Sequence, residues 1–279
     1  MGVAITQRFL ISAEQLARRR DGVVVLEVSR SSETAYLEGH VAGAHSVVLE
    51  RDLVGRLTEM SGSGPLPEPG ELQGRLRRWG VGDDSTVVVY SRETPAIATR
   101  AWWTFRWAGL ANVFLLDGGL RAWEEADGTL DTEIPPPSEG SVVVRPGSLP
   151  VLSPEDVARI AVSGHLLDAR GTAAYLGDPQ LPRLGHIPGA HSVPGSVNFV
   201  DGKLLGPAAL RELYGACLDG HEIGAYCGSG VSATTTVLAL AQLGIEVALY
   251  PGSWSEWITD PARPSATGDR PGTYPAPSD

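Results

Sequence analysis

Gly39-His40-Val41-Ala42-Gly43-Ala44-His45 recurs as Gly185-His186-Ile187-Pro188-Gly189-Ala190-His191, and this pair of segments decides the architecture. A repeat at this spacing makes the 279-residue chain two related domains, not one large one. Upstream, Phe9-Leu10-Ile11-Ser12-Ala13-Glu14-Gln15-Leu16-Ala17 matches Pro150-Val151-Leu152-Ser153-Pro154-Glu155-Asp156-Val157-Ala158. Each serine is placed to cap a helix. Gln15 stands at capping-box distance from Ser12, and Pro154 falls at the first helical position, where no N–H is needed. Next come apolar strands ending near an acid: 23–26 before Glu27, and 166–167 before Asp168. Strand Thr86–Tyr90 then matches 222–226. A fourth strand pattern ends in Leu116-Asp117-Gly118-Gly119-Leu120-Arg121-Ala122-Trp123 and in Tyr250-Pro251-Gly252-Ser253-Trp254-Ser255-Glu256-Trp257.

Short apolar strands alternating with helical segments imply parallel βα units. The fold class is therefore α/β: tandem domains at 1–130 and 151–279, each a mostly parallel sheet flanked by helices. Residues 131–150, with Pro135-Pro136-Pro137, read as a stiff linker. Residues 270–279 read as an arm or loose tail. With 22 basic against 33 acidic residues the net charge is −11, which disfavours nucleic acid and acidic membranes as partners. The N-terminal residues do not read as a signal peptide. Cys217 and Cys227 are too few for a disulfide framework. The expected setting is the reducing cytoplasm.

One loop carries chemistry. The third strand of the second half delivers Cys227-Gly228-Ser229-Gly230-Val231-Ser232-Ala233, and a helix is expected over 234–244. Glycines let the backbone curl so that successive amides, backed by a helix N-terminus, cradle an anion. The same field favours a thiolate. Gly228, Ser229, Gly230, Val231, Ser232 and Ala233 are thus candidate binding residues around a candidate nucleophile, Cys227. A dinucleotide fingerprint also fits Gly228-Ser229-Gly230-Val231-Ser232-Ala233, but the acid it needs at the end of the next strand is missing, since Glu246 begins that strand. A cysteine phosphatase would need arginine where Ala233 stands. A buried structural cysteine is the bland alternative for Cys227 and the expected role of Cys217.

These residues together resemble the two-domain rhodanese family, which includes thiosulfate and 3-mercaptopyruvate sulfurtransferases. The resemblance covers nearly the whole chain and implies a persulfide-forming Cys227, a catalytically silent first domain and no metal or organic cofactor. Its expected partners are a small sulfur donor and a thiol acceptor such as thioredoxin or a low-molecular-weight thiol, or cyanide. The cation-free loop resembles the mercaptopyruvate type. The resemblance implies a substrate contact at Arg183. Two departures stand out: Ala174, where an arginine is usual, and Gly64, where some members carry histidine. The alternatives are a thiosulfate:cyanide sulfurtransferase or a non-catalytic sulfur-binding module.

In the first half, Ser91 replaces the cysteine. The loop 91–97 lacks glycine and reads as longer than its counterpart. Tyr90 to Trp123 exceeds Tyr226 to Trp257 by two residues, an apparent insertion in that loop. This half reads as a scaffold walling one side of a cleft. His40, His45, His186 and His191 are expected to stabilise turns, and Glu27 and Asp168 to hold loop amides. Trp102, Trp103 and Trp107 are expected in packing.

Overall fold

The computed structural model describes residues 8–19, 22–181 and 184–275. They divide into two compact units. One contains the chain up to Gly55, Leu66–Leu149 and Phe199–Leu204; the other contains Arg56–Pro65, Pro150–Asn198 and the chain from Leu205. Each half of the sequence therefore lends a short segment to the other half's unit, an exchange no local sequence pattern announces.

The first half runs β1 (Leu10–Ile11), α1 (Ala13–Arg18), β2 (Val23–Ser29), α2 (Thr34–Glu38), β3 (His40–Val41), β4 (His45–Val48), α3 (Pro69–Arg78), β5 (Thr86–Tyr90), α4 (Pro95–Trp107), β6 (Val113–Leu116), α5 (Gly119–Glu125) and β7 (Leu130–Asp131). Its main sheet has the order β1-β6-β5-β2-β4, all parallel. The central β5 is Thr-Val-Val-Val-Tyr, buried along Val87–Tyr90 with no alternation. That is expected of a parallel strand covered by helices on both faces. Trp102 and Trp103 on α4 are fully buried and Trp107 nearly so, within the core of this unit.

The second half runs α6 (Pro154–Ser163), β8 (His165–Asp168), α7 (Thr172–Leu176), β9 (Ala190–Ser192), a hairpin of β10 (Phe199–Val200) and β11 (Lys203–Leu204), α8 (Pro207–Tyr214), β12 (Ile223–Tyr226), α9 (Ala233–Gln242), β13 (Ala248–Leu249) and α10 (Ser253–Trp257). Its sheet is parallel in the order β13-β12-β8-β9, and Val151 bridges Leu249 where β1 meets β6 in the first half. The hairpin belongs to the first unit, where the Leu204 amide donates to Asp117 Oδ1 at 2.9 Å.

The repeat extends to individual hydrogen bonds. Ser12 and Ser153 both form full capping boxes, with Gln15 and Asp156 as the reciprocal partners. His40 is buried, stacked on Tyr36 at 3.8 Å, with its nitrogens against the Tyr36 and Glu133 carbonyls. His186 is buried and stacked on Tyr175 at 3.8 Å, against the Tyr175 and Arg270 carbonyls. These two histidines are turn-locking rings in both halves.

One expectation needs correcting and another is narrowed. Residues 138–145 do not stand free as a linker. They lie along the first unit, where the Ser138 and Gly140 amides donate to Arg78 and Arg77 and the Val142 amide to Val81. Residues 270–274 form an arm and not a loose tail, packed as far as Tyr274. The Gly189 amide donates to Pro271 O at 2.7 Å, and Tyr274 meets Trp257 edge-on. Backbone pairing and one aromatic outweigh the Pro/Gly composition.

Candidate active site

Cys227 follows the C-terminal end of β12, the edge at which parallel α/β sheets bind ligands. It is 2% exposed and lies under the partly exposed Gly228, Ser229 and Ser232, while Gly230, Val231 and Ala233 are buried. The helix expected over 234–244 runs Ala233–Gln242.

The loop's peptide orientations follow from what its carbonyls do. Val231 O accepts from the Thr234 amide (3.2 Å) and hydroxyl (2.7 Å), and Ser232 O accepts from the Thr235 amide (3.1 Å) and hydroxyl (2.7 Å). A trans peptide sets the next N–H opposite its carbonyl, so the Ser232 and Ala233 amides point out of the helix start. Cys227 O and Gly228 O accept from the Trp254 (2.9 Å) and Ser255 (3.0 Å) amides, so the Gly228 and Ser229 amides point away from that strap. Gly230 supplies the left-handed turn (φ 73°) between the two pairs. The result is a nest of outward amides at a helix N-terminus, with no charged side chain on the loop.

Ser253 was quoted within a motif but given no role by sequence reasoning. It sits at φ 54°, unusual for a non-glycine residue. Its buried hydroxyl accepts from the Cys227 amide at 3.0 Å and donates to Tyr250 O at 2.8 Å, leaving Oγ 4.0 Å from Cys227 Sγ. The equivalent residue in the first half is Gly119, at φ 61°, where a Cβ would crowd Ser91 O. The hydroxyl therefore distinguishes the two halves. Ser253→Gly keeps the backbone conformation but strands the Cys227 amide. We expect turnover to fall about tenfold, the size of one lost buried hydrogen bond, measurable as kcat at saturating donor.

Behind the loop, Asp168 at the end of β8 accepts from the Arg170 amide (2.9 Å) and pairs with its guanidinium (2.5 Å). Arg170 also donates to Gly185 O at 2.6 Å and lies over Trp254. Burial alone would push Arg170 down, but hydrogen bonding and charge from Asp168 more than offset it and its pKa rises. This cation is committed to structure. Asp168 thus holds a loop amide as expected. Glu27 does not: it accepts from the Tyr90 hydroxyl (2.5 Å) and from Arg92 Nε (2.6 Å), because the first half's arginine comes from the loop after β5. Burial pushes the Glu256 carboxyl up, with Tyr250 and Arg263 acting the other way.

The corresponding loop of the first half is not longer. It spans 91–94, against 227–232, because Pro95 starts α4 early; the extra residues lie in the helix. Its Glu93 amide is taken by the Ser91 hydroxyl at 3.1 Å and its Arg92 by Glu27. Gly64 belongs to the second unit and lies against the active loop, where a Cβ would collide with Ser229 O. No histidine side chain fits there on this backbone. Ala174 lies in α7. Arg183 falls outside the described residues. Cys217 is buried near the end of α8, and burial pushes its thiol pKa up, as suits a structural residue.

Two related α/β units, the second carrying Cys227 in a glycine-containing loop ahead of a helix, define a tandem-domain protein. The chain belongs to the rhodanese family: the rhodanese-like domain model matches residues 12–126 and again 153–260. It is 42% identical to a Mycobacterium tuberculosis protein provisionally named thiosulfate sulfurtransferase SseB, covering 93% of this chain and 97% of that one. It is 33% identical to the 3-mercaptopyruvate sulfurtransferase of Escherichia coli K12, over 82% and 83% of the two chains. The crystal structure of Escherichia coli SseA, titled a 3-mercaptopyruvate sulfotransferase, superimposes with a TM-score of 0.76 at 29% identity, covering 89% of this chain and 99% of that chain. Among the described residues no helix is long and apolar enough to cross a membrane.

Proposed function

We propose that this chain, a sulfurtransferase by family, moves the thiol sulfur of 3-mercaptopyruvate, carried as the outer sulfur of a Cys227 persulfide, to an acceptor thiol. The acceptor is thioredoxin, a low-molecular-weight thiol or, in assay, cyanide, and the setting is the cytoplasm. The Cys227 thiolate attacks the donor sulfur and the C–S bond breaks. Pyruvate leaves as its enolate and takes a proton from solvent. An acceptor thiolate then attacks the outer persulfide sulfur and returns Cys227 as thiolate, chemistry akin to thiol–disulfide exchange. The outward amides of Gly228, Ser229, Ser232 and Ala233 supply fixed dipoles for the persulfide anion.

The named relatives divide between thiosulfate and mercaptopyruvate, so donor choice rests on the loop. It offers amides and hydroxyls but no cation. Thiosulfate carries two negative charges and needs more compensation than one carboxylate. Adding charge-assisted hydrogen bonds contributes about 1–3 kcal/mol, roughly tenfold to a hundredfold in specificity. Gly228 has a negative φ and open space around a Cβ, so a side chain fits there. We expect the unaltered enzyme to prefer mercaptopyruvate in kcat/KM, and Gly228→Arg with Ser229→Lys to shift the ratio toward thiosulfate by that factor. An unaltered enzyme faster with thiosulfate would overturn the donor assignment.

A further inference from the structure

A second group of chemically capable side chains lies at the opposite edge of the same sheet from Cys227. His165 opens β8, and its amide donates to Glu222 O at 2.9 Å. Asp219 and His221 lie in the turn between Cys217 and β12, where the His221 amide donates to Asp219 Oδ1 at 3.1 Å. That oxygen also faces His165 Nε2 at 2.9 Å and His221 Nδ1 at 3.0 Å, with the two rings edge-on to each other. All three ligand atoms lie within 4.8 Å of one another. Asp219 and His221 are exposed and His165 is half-buried, so the group opens to solvent.

We propose that His165, Asp219 and His221 form a binding site for one divalent transition metal ion of the zinc type. Two imidazoles and a carboxylate are the ligand set such ions favour over magnesium or calcium, whose partners are oxygens. Metal–nitrogen and metal–oxygen bonds of about 2.0–2.2 Å put tetrahedral ligand atoms roughly 3.3 Å apart, and the two nitrogen–carboxylate separations, 2.9 and 3.0 Å, already lie near that spacing. Water completes the shell on the exposed side. Each imidazole presents a nitrogen lone pair to the ion, so binding competes with protons. Two of the ligands are already fixed by backbone hydrogen bonds, to Glu222 and within the turn. The carboxylate that follows His221 in the chain, Glu222, is occupied by Arg159 at 2.5 Å.

His165 pairs with Ile223, while Tyr226, which pairs with Asp168, precedes Cys227. Strand rise then places the metal site roughly 10 Å or more from the thiol. The ion ties the turn before β12 to the start of β8 and takes no part in sulfur transfer.

The test is zinc titration of the full-length chain by calorimetry at neutral pH, with Cys227→Ser alongside to remove the reactive thiol. We expect one equivalent bound with micromolar affinity in both proteins. His165→Gln and His221→Gln should each weaken it at least tenfold. Saturating zinc should raise Tm by about 5 °C in the Cys227→Ser protein and not in the histidine variants. Cobalt(II) should give a spectrum without a thiolate charge-transfer band. No binding to the Cys227→Ser protein, binding unchanged in both histidine variants, or a thiolate band would each overturn the site.

Discussion

Cys227→Ser is expected to reduce sulfur transfer by at least about 10³-fold, while Cys217→Ser keeps most of it. The two cysteines are both buried, so exposure does not separate them; surroundings do. Cys227 leads into outward-facing amides at the start of α9, with the Ser253 hydroxyl on its own amide. Cys217 lies in a short helical turn after α8, with its thiol pKa raised by burial and by Asp219. Serine preserves the shape of the loop but holds sulfur poorly and ionises far less readily than cysteine. Removing a covalent nucleophile costs several orders of magnitude in kcat, and the remaining residues cannot replace it one by one. Steady-state turnover with mercaptopyruvate and a thiol acceptor measures the difference. Substantial activity in the Cys227 variant would locate the chemistry elsewhere.

Asp168→Ala is expected to be the most destabilising single change around the site. Asp168 is fully buried and its partner's side chain only 9% exposed. Truncation leaves the Arg170 guanidinium in a low-dielectric pocket with Gly185 O and the Trp254 and Tyr226 rings, and no carboxylate beside it. Breaking one side of a buried pair costs about 3–5 kcal/mol, and Tm should fall by roughly 10 °C or more. The corresponding Glu27→Ala should cost less, because Arg92 is 24% exposed and water can take over part of its solvation. Thermal unfolding of the two variants beside the parent gives the ordering. Equal losses would show that the more buried pair is no more costly to break than the more exposed one.

Much of this was legible because it was local. The serine caps, the apolar strands and the histidine turns each depend on a few neighbouring residues, and the repeat made each reading count twice. Cys227 was legible because glycine spacing, strand and helix start lie within one short run. What escaped depends on partners distant in sequence. Ser253 looks like any motif serine until the chain brings it beneath Cys227. Glu27 and Asp168 occupy the same strand end, yet their arginines come from different loops, so matching positions conceal different wiring. The extra residues of the first half read as part of its loop, but Pro95 fixes the helix start and moves them into α4. The exchange of 56–65 and 199–204 between units has no local signature at all. It explains why Gly64, a residue of the first half, is constrained by Ser229 of the second.

The central claim is that sulfur is carried covalently on Cys227. Its most direct test is mass spectrometry of the unaltered protein after brief incubation with mercaptopyruvate and no acceptor, followed by digestion and peptide sequencing. The account predicts one added sulfur atom per chain, on the peptide containing Cys227, removed when a thiol acceptor is added. Sulfur on Cys217, or steady turnover with no sulfur bound to either cysteine at any time, would contradict it.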